Sequence, residues 1–373
     1  MGPEIFRGVD RLLSAYAGLE RRDAVVVVYS PDSRDAAAWL AAGVKARGVE
    51  PSLVAMRPLV DEAFEERLRG VLPAKDDLAG RLVIFTLEKE SMSHFGPLTS
   101  VLEEYGDDCQ IVRIISASEE FFTEGLNLTP DELSQRNATL LSRLNGRKTI
   151  RIKSDGGTDL QVELDSSRYD WISNRGLHRG GHFTILPAGE IATYPAAIEG
   201  VLVADGAVNC NVISRLDMRL ADTPLTVEVE GGRAVDFSCA NPRIHELVGL
   251  CFTRPYGRNV GELGFGTNVG VRRFLPENSH LNERRPGVHV GFGQHNQPPS
   301  RVSYLEDIHL DLIADGARIE IDGEPGVLDL HDLAVTCAAH PDVRDEDITG
   351  DCCGFGYRQL RVAATGASRA LVG

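Results

Sequence analysis

The segment IHLDLI, residues 308–313, places His309 and Asp311 two apart in an otherwise aliphatic stretch. Side chains on a strand alternate between faces, so the imidazole and the carboxylate point one way while Leu310 and Leu312 point the other. A carboxylate aimed at a core is costly unless it is paired or metal-bound, and an HxD pair offers a metal one nitrogen and one oxygen ligand. On these two residues alone, a solvated or hydrogen-bonded polar face accounts for the pattern equally well.

Further candidate ligands stand upstream, each in a glycine-flanked strand segment. GVHVGFG places His289 on the same face as Gly291 and Gly293, whose missing side chains leave room beside the imidazole. GELGFG carries Glu262, and GEIATYP carries Glu190 at the head of an apolar strand. Taken singly, each glutamate reads as a solvated strand-edge residue, because glutamate is seldom buried without a partner. Taken together, two histidines, one aspartate and two glutamates make a mixed nitrogen and oxygen set larger than one catalytic zinc ordinarily takes. Such a set fits a two-metal site in which a carboxylate bridges and a water between the ions becomes a nucleophile. His289, His309 and Asp311 also offer the two-histidine, one-carboxylate facial triad of a non-haem Fe(II) centre.

These segments need a β-rich frame, and the sequence predicts one. From residue 148 onward, KTIRIKSDGGTDLQVEL, LTVEVEGGRAVDF and IHLDLIADGARIEID are alternating strands around glycine-containing turns. NPRIHELVGL is the clearest helix there, and His245 within it lacks the second histidine of an HExxH zinc helix, so it reads as a surface or packing residue. Residues 1–147 have a different texture. AVVVV, PSLVAM, RLVIFTL and QIVRIIS are short apolar runs suited to strands buried on both faces. They are interleaved with helical stretches such as SRDAAAWLAAGVKARG, and TPDELSQRNATLLSRLNG closes the region as a helix capped by Thr129 and stopped by Gly146. The expected fold is therefore an α/β N-terminal domain with an open, mostly parallel sheet (1–147), followed by an α+β, β-rich metal-binding domain (148–373).

Composition narrows the function. The 373 residues include 55 acidic and 39 basic side chains, a formal charge of -16 that disfavours a nucleic-acid partner and suits a divalent cation. No apolar run reaches membrane-spanning length, and the first 23 residues read as a charged amphipathic helix, so no membrane partner and a cytoplasmic location are expected. Seven cysteines without a CxxC support neither a disulfide framework nor a zinc knuckle, and the adjacent Cys352 and Cys353 read as incidental. GFGTNVG is not a dinucleotide fingerprint, and no P-loop or GxSxG appears. RGLHRGGHF, with Arg175, His178, Arg179 and His182, reads as a loop before Glu190, with contact to an anionic substrate group as the alternative.

The ordered series GEIATYP, GELGFGTN, GVHVGFG and HLDLI resembles the M29 family of metallopeptidases, the aminopeptidase T group, over roughly residues 186–323. The resemblance implies that Glu190, Glu262, His289, His309 and Asp311 are metal ligands for two divalent ions, Zn, Mn or Co. It also implies a homodimer. The family has a carboxylate five residues before the middle histidine; here Glu283 lies six before His289 and is the candidate proton shuttle. The family's tyrosine seven residues after that histidine is replaced by Asn296. The expected activity is hydrolysis of a peptide or amide by a metal-activated water. The closing HLD strand and the glycine spacing are also similar to ring-cleaving dioxygenases acting on 2,5-dihydroxypyridine, which implies one Fe(II) and a small aromatic or modified amino acid as the alternative. Asn296 points to a third reading, a non-catalytic peptide-binding protein of a biosynthetic pathway.

Overall fold

The computed structural model describes residues 2–178, 180–212, 214–336 and 339–345, which form two compact units. Arg179, Cys337, Cys352 and Cys353 lie outside the described residues, as does the stretch from 346 onward. One unit gathers residues up to 132 together with 175–188; the other gathers 133–174 and 189–345.

The first unit holds a five-stranded, wholly parallel sheet. Its order is Ser52–Ala55, Ala24–Tyr29, Leu82–Leu87, Cys109–Ile114, Phe183–Leu186. The valine run of its second strand, Val25 to Val28, is buried throughout, as a strand covered on both faces must be. Val26, Val28 and Ile84 pack on one side against Leu98, Val101 and Leu102 of helix Phe95–Tyr105. The helix expected near residue 130 spans Pro130–Leu144. Its start is a reciprocal pairing in which Thr129 N–H donates to Glu132 at 2.7 Å and Glu132 N–H donates to Thr129 Oγ1 at 3.3 Å. The α/β and β-rich texture read from the sequence is the observed fold class.

The second unit is a sandwich of two sheets, one of seven strands and one of six, with a single aliphatic core. In the seven-stranded sheet, strands such as Thr149–Lys153 turn Ile150 and Ile152 inward and expose Arg151. The six-stranded sheet runs Ala207–Cys210, His309–Ala314, Gly287–Gly293, Val260–Gly266, Glu190–Thr193, Ile172–Asn174, every neighbouring pair antiparallel. One face presents Leu310, Leu312, Val288, Val290, Leu263, Phe265 and Ile191 to the core. Burying each such side chain contributes roughly 1.5–3 kcal/mol, which sets the register, because a one-residue slip would exchange the faces. The opposite face is polar and is buried as well.

The stretch IHLDLIADGARIEID departs from the hairpin that its turn suggests. His309–Ala314 pairs within the six-stranded sheet, whereas Arg318–Ile321 pairs with Thr149–Lys153 in the other. The turn at Asp315 and Gly316 moves the chain between layers, from the six-stranded sheet to the seven-stranded one.

Candidate metal centre

The buried polar face of the six-stranded sheet carries the sequence-identified side chains on four adjacent strands. Cross-strand register places them. Asp311 pairs with Gly291, and Gly291 with Glu262; Gly264 pairs with His289, Gly266 with Glu190, and Gly293 with His309. Glycines occupy the positions between ligands because the ligands fill that space. A Cβ on Gly291 would lie 2.9 Å from Asp311 Oδ1 and 3.2 Å from His309 Cε1, and one on Gly264 would lie 1.9 Å from His289 Nε2. Gly293, expected to open space near His289, instead has φ +92° and abuts the Ile308 carbonyl, so its role is in the backbone. Gly189 has φ +114° and turns the chain into the strand that Glu190 heads.

Two three-residue groups result: Glu190, Glu262 and His289, and Glu262, His309 and Asp311. In each, one ligand atom per residue lies within 4.8 Å of the others. Glu262 belongs to both. All five residues are buried, Asp311 and His289 to 1% exposure. These carboxylate and histidine groups could bind metal. Among the described residues His289 does not join His309 and Asp311 in one group, so the facial triad read from the sequence does not assemble; His289 stands with the glutamates instead.

The two groups differ in how their polar atoms are satisfied. His309 Nδ1 lies 3.2 Å from the Gln294 carbonyl oxygen, an acceptor only, which assigns the proton of the neutral ring to Nδ1 and the lone pair to Nε2, on the side of the carboxylate. That Nε2 is 3.1 Å from Asp311 Oδ2, yet neither Asp311 oxygen has a hydrogen-bond partner of acceptable geometry. Two facing lone pairs and a buried, donorless carboxylate fit a cation between them. Without one, burial raises the Asp311 pKa, but a charged His309, with help from His289, outweighs it and holds the carboxyl well below the usual range. In the other group, His289 Nε2 is 3.0 Å from Glu190 Oε1 and 3.6 Å from Glu262 Oε1.

A short segment over this face completes the centre. Asn278 pins it, its side chain donating to the Cys210 carbonyl (2.6 Å) and accepting from the Cys210 N–H (2.9 Å) as a strand partner would. The single turn Leu281–Arg284 then presents Glu283 and Arg284, both buried. Asn209, register partner of Asp311, donates to Glu283 Oε2 at 2.6 Å. The Arg284 guanidinium pairs with Glu190 Oε2 and lies 3.3 Å from Glu283 Oε1. His280, at the start of the same turn, is buried, and burial pushes its pKa down to about 4, opposed by Asp311 and assisted by His309.

His280, Arg284, Asn209 and the Gln294 carbonyl are not singled out by the sequence reading. A signal existed for two of them: HLNER packs a histidine, a glutamate and an arginine into five residues immediately before a ligand strand. Asn296 accepts from the Gln297 side chain at 2.7 Å, and its backbone carbonyl accepts from Arg344. Tyr304 donates to the Gly293 carbonyl at 3.0 Å, and His295 Nε2 meets the Tyr304 carbonyl oxygen at 2.7 Å. His178 lies in a loop beside Arg81, and His245 stacks on Phe237 with ring centroids 4.6 Å apart, a packing role. Among the described residues Cys109, Cys210, Cys239 and Cys251 form no disulfide. Among the described residues no helix is long and apolar enough to cross a membrane.

No protein-family model matches the chain, and no curated protein sequence matches it. Solved structures do share its fold. The 2,5-dihydroxypyridine dioxygenase from Pseudomonas putida KT2440 superposes with a TM-score of 0.60 at 15% identity, over 90% of this chain and 98% of that one. Wild-type AmpT from Thermus thermophilus superposes with a TM-score of 0.52 at 14% identity, over 85% of this chain and 94% of that one.

Proposed function

We propose that the chain is a metal-dependent hydrolase of the aminopeptidase type, acting on a peptide or amide through a metal-activated water. The observation that carries this reading is the buried convergence of Glu262, His309 and Asp311, with His309 Nε2 3.1 Å from an Asp311 carboxylate whose oxygens have no hydrogen-bond partner of acceptable geometry. Three protein ligands and an open position are the usual form of a hydrolytic centre. A divalent cation there would polarise the scissile carbonyl and make a bound water acidic. The protein's own contribution is position and proton traffic. The Gln294 carbonyl fixes the His309 ring, and the core-facing leucines hold Asp311 in register. Asn209 orients Glu283, whose carboxylate takes the proton from the attacking water and returns it to the leaving amine. The four-motif resemblance to M29 peptidases and the fold shared with AmpT support the substrate class.

A second reading, an Fe(II) dioxygenase on a small aromatic compound, is favoured by the higher TM-score to the dihydroxypyridine enzyme. The separation of His289 from the His309 and Asp311 pair counts against it. Metal-stripped protein, reloaded in turn with Zn, Mn, Co or anaerobic Fe(II), is assayed on aminoacyl nitroanilides and dipeptides and on dihydroxypyridine with O₂. Hydrolysis restored by Zn, Mn or Co, and lost in His309→Ala and Asp311→Ala, is expected. Turnover that requires Fe(II) and O₂ overturns the hydrolase reading, and full hydrolytic activity in the stripped protein overturns the role of metal.

A further inference from the structure

Arg284 is buried in the midst of the carboxylates and is unexplained by the chemistry above. A guanidinium cannot be deprotonated in a protein, so it brings one permanent positive charge to this face. Its partner is Glu190, a member of the first three-residue group and not of the second.

The two groups are therefore unequal. Both oxygens of Glu190 are engaged by the protein's own donors, Oε2 by Arg284 and Oε1 by His289 Nε2. With its proton on Nε2, His289 is a donor to that carboxylate rather than a ligand. Its Nδ1 has no hydrogen-bond partner, whereas a metal-bound histidine ordinarily donates from its other nitrogen. His309 has that arrangement, through the Gln294 carbonyl. Asp311 has no guanidinium on it: neither of its buried oxygens has a hydrogen-bond partner of acceptable geometry, and its near neighbour is the ligand histidine His309, whose Nε2 lies 3.1 Å from Oδ2. A dication placed on Glu190 would sit against the guanidinium and be repelled by it in a setting of low dielectric.

We infer that Arg284 stands in for a second cation: the centre takes one divalent ion, on Glu262, His309 and Asp311, and the Glu190, His289 and Arg284 cluster is a built-in ion pair. This rests on the metal-dependent reading proposed above and sharpens it, because Glu262, His309 and Asp311 would then hold a single ion, which would supply the Lewis acidity without a second ion on Glu190 and His289.

The test is stoichiometry. Purified protein is stripped, reloaded with Zn, desalted and measured by elemental analysis, with Co substitution and visible absorption as a coordination readout. About one equivalent is expected in the native chain and about two in Arg284→Met, which frees the first group to act as a second site. Two equivalents in the native chain overturn the inference and leave the metal-dependent reading standing; none overturns that reading itself. One equivalent in both native protein and folded Arg284→Met shows that Arg284 is not what excludes the second ion. Should Arg284→Met fail to fold, Glu190→Gln decides. A one-ion centre keeps its single equivalent and an unchanged Co spectrum, whereas a variant that loses that equivalent or alters the spectrum overturns the inference.

Discussion

Asp311 and Glu262 sit two strands apart in one cross-strand row with only Gly291 between them, so that a glycine's missing side chain is the space in which the two carboxylates approach a shared ion. Gly291→Ala puts a methyl 2.9 Å from both Asp311 Oδ1 and Glu262 Cβ. Zinc affinity is expected to fall at least about 10-fold, as when a ligand's surroundings are disturbed. A competition titration against a chromogenic chelator reads the change. Unaltered affinity would show that the two carboxylates do not act on one ion.

Metal should also stabilise the fold. Mutually repelling buried carboxylates make the metal-free state costly, and an ion that binds only the folded chain adds about 2.7 kcal/mol at 100 times its dissociation constant. Thermal melts with and without Zn are expected to differ upward in the native chain and to coincide in His309→Ala.

The opposite face of the same strand offers a control. Leu312 is fully buried in the sandwich core, and Leu312→Ala is expected to cost about 2–5 kcal/mol through the cavity it leaves. Metal content should be unchanged. Urea denaturation with parallel elemental analysis separates the two faces, and a loss of metal at preserved fold would contradict the division of roles.

The Asn209 side chain donates to Glu283 Oε2 and is not itself a member of either three-residue group. Asn209→Ala is expected to lower kcat about 10–100-fold, the range for a removed outer partner, at constant metal content. Steady-state kinetics with metal analysis of the same preparation checks it, and an unchanged kcat would remove Glu283 from the proton path.

A pH effect is expected in the first unit. Burial, then the charge of Arg81, pushes the His178 pKa below its usual value. The folded chain thus favours neutral His178, and the unfolded chain binds more protons as pH drops below about 6.5. The stabilisation is fully present above that pH and is lost as pH falls toward the depressed folded value. In urea melts from pH 7.5 to 5, His178→Gln should flatten this part of the profile, and a slope identical to the native one would exclude His178 as its source.

Much of this was legible without coordinates. The valine run announced a strand covered on both sides, and Thr129 announced a helix start. The HxD pair told which face of its strand was polar, because those signals depend on neighbours one to four residues apart. The glycines of GELGFG and GVHVGFG marked ligand strands because only close approach from a neighbouring strand excludes a Cβ so consistently.

What the chain order left open was grouping. His289 lies twenty residues from His309, yet register seats it with Glu190, ninety-nine residues away. Gly316 looks like a hairpin turn, but the sandwich needs the chain to change sheets there. Arg284 reads as one more charge in HLNERRPG until the fold buries it on Glu190. The amino-acid sequence by itself determined the elements, the strand faces and the ligand types, all set by local alternation and side-chain chemistry. Which ligands share an ion, and which are satisfied by a guanidinium instead, was decided only by the tertiary structure, because those contacts are made across strands and their energies depend on burial that no local stretch contains.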